Sequence, residues 1–219
     1  KIAKKYDMSI ISVQDLISYR VDGEKLVEEL SDIDLPTSYG NFSLKLFEDK
    51  VNGDHHLAIM KGSWNKDEDV LVRVHSQCLT GDILKSLRCD CGEQLDAALQ
   101  KIDDEGKGLV VYLRQEGRGI GLKNKILAYK LQEEGYDTVE ANEKLGFPPD
   151  IREYGIGAQI IKECGITKMK LMTNNPKKII GLEGYGLEIV GRESLDIKPN
   201  KNNEKYLKTK KDKLGHFIL

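Results

Sequence analysis

The sequence has no apolar run approaching the ~18 residues that a membrane-spanning helix needs. Its first eight residues, Lys1-Ile-Ala-Lys-Lys-Tyr-Asp-Met8, lack the continuous apolar core of a secretory signal peptide. The net charge of −2 gives no overall attraction to nucleic acid or to an anionic membrane surface. There is no internal repeat and no low-complexity tract. These absences predict a globular, cytoplasmic protein that has neither nucleic acid nor a membrane as its partner.

Cysteine is scarce, with four in the chain, but three of them lie close together. Cys78, Cys89 and Cys91 fall within fourteen residues. In a reducing compartment, clustered cysteines are more often metal ligands than disulfides. Cys89 and Cys91 are also too close in sequence for an unstrained disulfide. Arg88, next to these residues, is expected to help keep the thiolates ionised.

Three thiolates can hold one zinc ion and leave its fourth tetrahedral position open, as in catalytic rather than structural sites. His75 is the candidate fourth ligand if the site is instead closed and structural. A redox pair or inert buried cysteines remain further alternatives. Cys164 lies beside Ile160 and Ile161 on an apolar helix face, so we predict that it is a small core residue.

The hydrophobic pattern predicts an α/β fold with a mixed sheet or sheets. Residues 1–20, with a short helix over Gln14–Tyr19, form an N-terminal piece, and the acidic residues 21–35 are interpreted as a linker. Residues 41–61 predict a β-hairpin that turns at Asn52-Gly53, with Val70–His75 as a further antiparallel strand.

After the cysteines, strand and helix patterns alternate. This indicates a C-terminal three-layer α/β/α portion, with ligands at the carboxyl ends of parallel strands.

Two polar loops follow predicted strands and precede helices. Arg114–Gly121 is rich in glycine, and Thr173–Lys178 ends in two lysines. Together with Arg73 they favour a polyphosphate site over simple exposed turns. Seven lysines between Lys198 and Lys213 indicate a solvated helix face or a phosphate-steering surface.

Asp150 and Arg152 precede another helix. They are interpreted either as its N-cap and first turn or as part of a loop that covers the metal.

Five motifs resemble those of the GTP cyclohydrolase II family, and the resemblance spans about residues 35–219. The motifs are Arg73-Val-His-Ser-Gln-Cys-Leu-Thr-Gly-Asp82, Leu87-Arg-Cys-Asp-Cys-Gly92, Arg114–Leu122, Gly135–Asn142 and Leu171–Lys178. Residues 1–20 resemble the end of 3,4-dihydroxy-2-butanone 4-phosphate synthase, which is often fused ahead of this enzyme. The implied domains are thus a synthase remnant (1–20), a linker (21–35) and a cyclohydrolase domain (36–219).

The resemblance implies an enzyme that opens the imidazole ring of GTP and releases formate and pyrophosphate. The product would be 2,5-diamino-6-(5-phosphoribosylamino)pyrimidin-4(3H)-one, the first committed intermediate of riboflavin biosynthesis. It also implies a homodimer. One zinc ion per chain would be held by Cys78, Cys89 and Cys91. Magnesium is expected on the substrate pyrophosphate.

The resemblance further implies residue roles. The residues that would contact GTP are Arg73, Val74, His75, Ser76, Gln77, Gln94, Glu116, Gly117, Arg118, Thr138, Thr173 and Lys178. Asp150 corresponds to a proton acceptor, Arg152 to a nucleophile at the α-phosphate and Tyr129 to a residue near the reacting base. Because a guanidinium stays protonated, Arg152 could instead stabilise phosphate charge. We hypothesise that Glu116 accepts hydrogen bonds from N1 and N2 of guanine.

Two other functions are compatible with some of these features. A zinc-dependent nucleobase deaminase would need a ligand signature with a nearby glutamate, and that signature is absent. A zinc-stabilised nucleotide-binding domain without ring-opening activity is the second alternative, against which Asp150, Arg152 and Tyr129 argue.

Overall fold

The structure is a computed structural model that describes residues 2–12, 16, 19 and 23–217. The short helix expected over Gln14–Tyr19 therefore lies largely outside the described residues. Within the described part of the chain, no helix combines the length and the apolar character needed to cross a membrane.

One seven-stranded sheet organises the chain. Its strands are β1 (Val27–Thr37), β2 (Gly40–Asp49), β3 (His55–Lys61), β4 (Asp69–Ser76), β5 (Gly108–Leu113), β6 (Lys168–Met172) and β7 (Glu188–Glu193). The described helices are α1 (Ile2–Lys5), α2 (Cys91–Glu105), α3 (Gly121–Glu133), α4 (Thr138–Lys144), α5 (Gly155–Glu163), α6 (Pro176–Glu183) and α7 (Glu204–Asp212). A π-helical turn (Leu79–Ile83) and a 3₁₀ turn (Glu116–Gly119) follow β4 and β5.

The strand order is β1-β2-β3-β5-β4-β6-β7. The first three strands and β5 pair antiparallel, whereas β5-β4, β4-β6 and β6-β7 are parallel. This confirms the predicted α/β class with a mixed sheet. The expectation that β4 is an antiparallel neighbour of the hairpin is wrong, because β5 lies between β3 and β4.

The second half of the predicted linker is also a strand rather than a loop. β1 pairs with β2 from Val27 opposite Asp49 to Thr37 opposite Gly40. It lies at the sheet edge, and most of its side chains are exposed. An edge strand held mainly by backbone hydrogen bonds needs little apolar content. Its acidic sequence therefore gave no strand signal.

Apolar residues pack on both faces of the sheet, as a three-layer arrangement requires. Leu109 and Val111 of β5 face the cluster that includes α5, whereas Val110 faces the cluster that includes α2. Cys164 is buried in the α5 cluster, which confirms its prediction as a core residue. Burial raises the pKa of the Cys164 thiol to about 12.

The carboxyl ends of β4, β5 and β6 lie at one edge of the sheet because these strands are parallel. The cysteine turn follows β4, the glycine-rich loop follows β5, and the Thr173–Lys178 loop follows β6. Asn175 caps α6 by accepting a hydrogen bond from the Lys177 N–H at 3.0 Å, with Pro176 in the first turn. Loops far apart in sequence thereby meet at one place.

Candidate active site

A cleft with an empty volume of about 1080 Å³, open solvent included, lies at this edge of the sheet. Most of the residues predicted for the site line it: Arg73, His75, Ser76, Gln77, Cys78, Cys89, Cys91, Gln94, Glu116, Gly117, Arg118, Tyr129, Thr138, Arg152, Thr173 and Lys178. Val74 and Asp150 are not among the lining residues. Val74 is a core residue of β4 that is 1% exposed, and Asp150 lies behind Arg152.

The three cysteines of the cleft converge. Their Sγ atoms all lie within 4.8 Å of one another, with 3.7 Å between those of Cys78 and Cys89. The π-helical turn places Gly81 against them, and a Cβ there would lie 3.0 Å and 3.1 Å from the Sγ atoms of Cys89 and Cys78. Three sulfurs in a cradle that excludes a side chain fit a soft or borderline metal ion.

The sulfur group has an uneven charge. Hydrogen bonds from the other two thiols hold the pKa of Cys78 well below its usual value, with a further contribution from Lys125. The contact with Cys78 raises the pKa of Cys89 to about 11, and the contacts with Cys78 and Cys89 raise that of Cys91. Of the three thiols, Cys78 is therefore the one whose ionised form is most favoured. A divalent ion would remove this competition between the three sulfurs.

Lys125 is the cation in contact with the sulfurs. Its Nζ donates to Cys78 Sγ at 3.1 Å and to Glu116 Oε1 at 2.7 Å. Burial alone would lower the pKa of Lys125, but these two partners raise it above its usual value. Arg88, which was expected to help keep the thiolates ionised, also lines the cleft. Arg88 pairs with Glu133 and lies over the ring of Tyr129, 5.2 Å from its centroid.

Asp82 organises the turn that presents the cysteines. Its carboxylate lies 3.0 Å from His75 Nε2 and accepts hydrogen bonds from Cys78 N–H at 2.9 Å and from the Tyr112 hydroxyl at 2.8 Å. His75 is therefore engaged by Asp82 and is not part of the metal-ligating group found among the described residues. Burial lowers the pKa of His75, which keeps its imidazole neutral.

Replacing Asp82 with alanine should lower the free energy of unfolding by about 3 kcal/mol or more, since three buried donors lose their acceptor. Urea denaturation of the metal-free protein measures this, because bound metal would otherwise add to stability. Asp32→Ala is the matched control. Asp32 lies 3.7 Å from Lys45 on the exposed edge strand β1, so its loss should cost less than about 1 kcal/mol. Equal losses in the two variants would contradict the role of Asp82.

Buried cations dominate another part of the cleft. Arg73 donates to the Met172 carbonyl at 2.9 Å and to Gln94 Oε1 at 2.5 Å, while no described residue offers a partner for its Nε. Lys178 Nζ donates to the Val74 carbonyl at 2.6 Å. Burial lowers the pKa of Arg73 to about 10, and burial together with the charges of Arg73 and Arg152 lowers that of Lys178 well below its usual value. A bound anion would relieve this repulsion.

A polar chain supports Arg73 from α2 and α7. Gln94 Nε2 donates to Asp90 Oδ2 at 2.6 Å, and Lys210 Nζ lies 2.9 Å from both Asp90 oxygens. Lys210 is 6% exposed. The lysine-rich segment, residues 198–213, therefore contains lysines in two environments. Lys210 is buried and lines the cleft, whereas several others are exposed: Lys201, Lys205, Lys208 and Lys211.

Arg152 and Asp150 form a buried two-point ion pair. Arg152 Nε and Nη2 donate to Asp150 Oδ1 and Oδ2 at 2.9 Å and 2.5 Å, and Arg152 Nη1 lies 3.5 Å from Ser76 Oγ. Burial opposes both charges, yet the pairing raises the pKa of Arg152 and lowers that of Asp150. Asp150 is not the N-cap of α5, which is Tyr154. The interpretation as a simple helix cap is therefore wrong.

The glycine-rich loop turns through left-handed backbone conformations. Gly117 and Arg118 have φ values of +63° and +60°. A positive φ at a non-glycine residue is unusual and is found most often at functional sites. Arg118 Nη1 reaches the Pro149 carbonyl at 3.4 Å, and Arg118 itself lines the cleft. The loop thus carries both a cation and the Glu116 carboxylate to the cleft.

Glu116 already has several partners. Its Oε2 accepts from Leu79 N–H at 2.7 Å, and its Oε1 accepts from Gly117 N–H at 2.9 Å and from Lys125 Nζ. A carboxylate offers about four lone-pair positions, so one remains free for a ligand.

Tyr129 and Thr138 lie at the helical side of the cleft. The Tyr129 hydroxyl is 3.1 Å from Thr80 Oγ1, and that oxygen is 3.7 Å from Cys78 Sγ. Burial raises the pKa of Tyr129, so its hydroxyl stays protonated at neutral pH. Thr138 begins α4, whose N-cap Asp137 accepts from Val139 N–H and Glu140 N–H.

The sequence interpretation missed several residues that line the cleft: Asp90, Lys125, Tyr206, Lys210 and His216. It also missed the role of Asp82, which supports the cysteine turn without lining the cleft. A signal existed for Lys125, which is four residues before Tyr129 and so lies on the same helix face. Asp90 lies between two cysteines of the metal group. Lys210 belongs to the lysine-rich segment that the sequence already indicated, whereas His216 follows no motif and is brought to the cleft by the fold alone.

Comparisons with known proteins agree on one family. A family model described as GTP cyclohydrolase II matches residues 28–194. The riboflavin biosynthesis protein RibBA of Endomicrobium trichonymphae is 57% identical over 218 residues, which are 100% of this chain and 54% of that protein. RibBA of Aquifex aeolicus is 58% identical over 219 residues, again 100% of this chain and 54% of that protein. The chain spans about half the length of the curated relatives it matches.

A solved structure is similar in fold. It is the crystal structure of RibBX, a two-domain 3,4-dihydroxy-2-butanone 4-phosphate synthase from A. baumannii, with 27% sequence identity and a TM-score of 0.53. The match covers 90% of this chain and 48% of that one.

Proposed function

Because the chain belongs to the GTP cyclohydrolase II family, we propose that it hydrolyses GTP to 2,5-diamino-6-(5-phosphoribosylamino)pyrimidin-4(3H)-one, formate and pyrophosphate. This is the first committed step of riboflavin biosynthesis. One observation carries the proposal: a three-sulfur group and a set of buried cations line the same cleft. The reaction needs both, because it opens a purine ring and also cleaves a triphosphate.

Zinc is the proposed metal, held by Cys78, Cys89 and Cys91. The donor set supports it, since thiolates from one short segment are typical zinc ligands and exclude magnesium or calcium. When bound, zinc supplies a Lewis acid that lowers the pKa of water toward ~7. Lys125 offsets part of the thiolate charge, because its ammonium donates to Cys78.

The phosphates are proposed to bind the buried cations Arg73, Arg152 and Lys178. Their mutual repulsion favours an anion, and Thr173 and Ser76 add hydroxyl groups at the strand ends. Three separate cations can contact two or more adjacent phosphates at the same time, so they fit a polyphosphate better than a single phosphate. We also propose that a magnesium ion binds the pyrophosphate and neutralises part of its negative charge.

Proton transfer is assigned to two groups. Tyr129 stays protonated beside the cysteines, so its hydroxyl can donate a proton near the reacting base. Asp150 is ionised and orients Arg152 by the two-point ion pair, and it is the proposed proton acceptor. Arg152 acts here through its charge. A guanidinium whose pKa is raised further is a poor nucleophile.

Glu116 is the proposed reader of the base. The one free lone-pair position suffices for the 2-amino group of guanine, whereas contact with N1 as well would require a present partner to move.

Glu116→Gln should therefore reduce the preference for GTP over ITP about tenfold or more, because ITP lacks that amino group. The ratio of kcat/KM values for the two substrates measures the effect and cancels general losses of activity. An unchanged ratio would leave Glu116 only as a partner of Lys125 and Leu79.

The reaction itself is tested by product analysis. The full chain, loaded with zinc, is incubated with GTP and assayed for formate, pyrophosphate and ammonia. Formate with pyrophosphate supports the proposal, and chelator treatment should abolish both. Ammonia without formate would instead indicate deamination.

A zinc-stabilised nucleotide-binding domain without ring opening is the second candidate. The likeness to RibBX favours it, because that two-domain protein is described only as a synthase. Binding of GTP without any product would support this candidate over the enzyme.

Three further proposals concern the location, the oligomeric state and the domain division of the protein. We place it in the cytoplasm, because three clustered thiols need a reducing compartment to stay free. We propose a homodimer, supported by apolar side chains exposed beside the cysteines at Ile83, Leu84 and Leu87. We also propose a division into a synthase remnant (1–20), a connecting part and a cyclohydrolase domain, whose bounds from the sequence alone were 36–219. The observed edge strand β1 moves the start of the last domain to about Val27.

A further inference from the structure

The segment after α7 is attached to one wall of the cleft. Lys213 Nζ pairs with Asp137 and lies 3.0 Å from Glu140 Oε1, so it is held at the start of α4. The next residue of that helix, Thr138, lines the cleft. Residues 213–217, which we call the strap, continue from this point.

The other end of the strap is attached to a different wall. Phe217 N–H donates to the Asn174 carbonyl at 2.8 Å, and the guanidinium carbon of Arg192 lies 5.0 Å from the Phe217 ring centroid. Asn174 belongs to the loop after β6 and also lines the cleft. The strap therefore bridges two elements that are far apart in sequence and border one cavity.

His216 is the strap residue that lines the cleft. Its backbone N–H donates to the Lys210 carbonyl at 3.0 Å. Among the described residues, no hydrogen-bond partner is found for its imidazole. Burial lowers the pKa of His216 to about 3, and nearby cations contribute further. The cations are Lys210, Arg118, Arg152 and Lys178.

We propose that His216 is a substrate-contacting residue that donates a hydrogen bond from its neutral imidazole to the phosphate chain of the nucleotide. This inference rests on the proposed function and adds a residue to its phosphate site. A neutral imidazole has one N–H to donate. It adds no positive charge to cations that already repel one another. A phosphate oxygen is the acceptor that such surroundings favour.

The test compares pyrophosphate and guanosine binding to the full chain by calorimetry. His216→Ala should weaken pyrophosphate binding about tenfold and leave guanosine binding unchanged, since one hydrogen bond to a charged group is lost. His216→Gln keeps a donor and should recover most of that loss. Phe217→Ala removes the ring contact with Arg192 but keeps the backbone hydrogen bond to Asn174, so it should act in the same direction as His216→Ala but more weakly. Lys211→Ala, at an exposed position of α7, is the control that should change neither affinity.

Two outcomes would contradict the proposal. Equal pyrophosphate affinity in the wild type and in His216→Ala overturns it. A parallel loss of guanosine binding also overturns it, because the effect would then be a general loss of structure. Failure of the proposed function is separate. A chain that releases no formate from GTP, yet loses pyrophosphate affinity in His216→Ala, would keep the phosphate contact and refute only the reaction.

Discussion

Replacing Cys91 with serine is expected to remove the metal from the purified protein and to lower formate release at least about 1,000-fold. Two sulfurs remain, and a hydroxyl is a poor ligand for an ion that prefers thiolates. The loss corresponds to several kcal/mol of transition-state stabilisation by the ion. Elemental analysis should give one zinc per wild-type chain and almost none in the variant, and the formate assay gives the rate.

The buried Cys164 provides the matched control. It is 9% exposed and packs in the hydrophobic core at the C-terminal end of α5. It does not belong to the group of three sulfurs. Cys164→Ser should keep both zinc and activity, although burying a hydroxyl costs some stability. Pyrophosphate binding should survive in Cys91→Ser, because the cations are held by other elements. A Cys91→Ser protein that retains zinc and turnover would refute the three-thiolate site.

The parts of the fold that were predictable are those with a strong local signal. The Asn52-Gly53 hairpin, the buried run at Leu109–Leu113 and the Asn175-Pro176 helix start each follow from turn, strand or cap chemistry of a few residues. β1 was not predictable from its own residues. An acidic edge strand is defined by the strand beside it, and that pairing is a long-range property of the chain.

The residues of the candidate site also fall into two groups, those that the sequence predicted and those that only the fold reveals. The cysteines and the two polar loops carry their chemistry in their spacing, so they were recognised together. Asp82 and Lys125 were missed because their roles depend on contacts with residues in other segments of the chain. A carboxylate that serves His75, Cys78 and Tyr112 at once is visible only when three backbone segments are placed in space.

The ion pair between Arg152 and Asp150 leads to the second large effect. Arg152→Met should lower pyrophosphate and formate release about 100- to 1,000-fold, because a buried cation beside the phosphates is lost. The same change should destabilise the protein by about 3–5 kcal/mol, since Asp150 is left as an unpaired charge whose side chain is only 12% exposed. Product assays and urea denaturation measure the two losses separately.

A double variant separates the catalytic part of this effect from the structural part. In Arg152→Met with Asp150→Leu no buried charge is left alone, so most of the stability should return. Activity should not return, because the charge of Arg152 and the proposed proton acceptor Asp150 are both missing. If the double variant released pyrophosphate at the wild-type rate, Arg152 would be only a structural partner of Asp150. Recovery of stability without activity would show that the ion pair is needed for the reaction as well as for folding. Weaker pyrophosphate binding by Arg152→Met, measured by calorimetry, would then place Arg152 at the phosphates, where Ser76 and Lys178 also line the cleft.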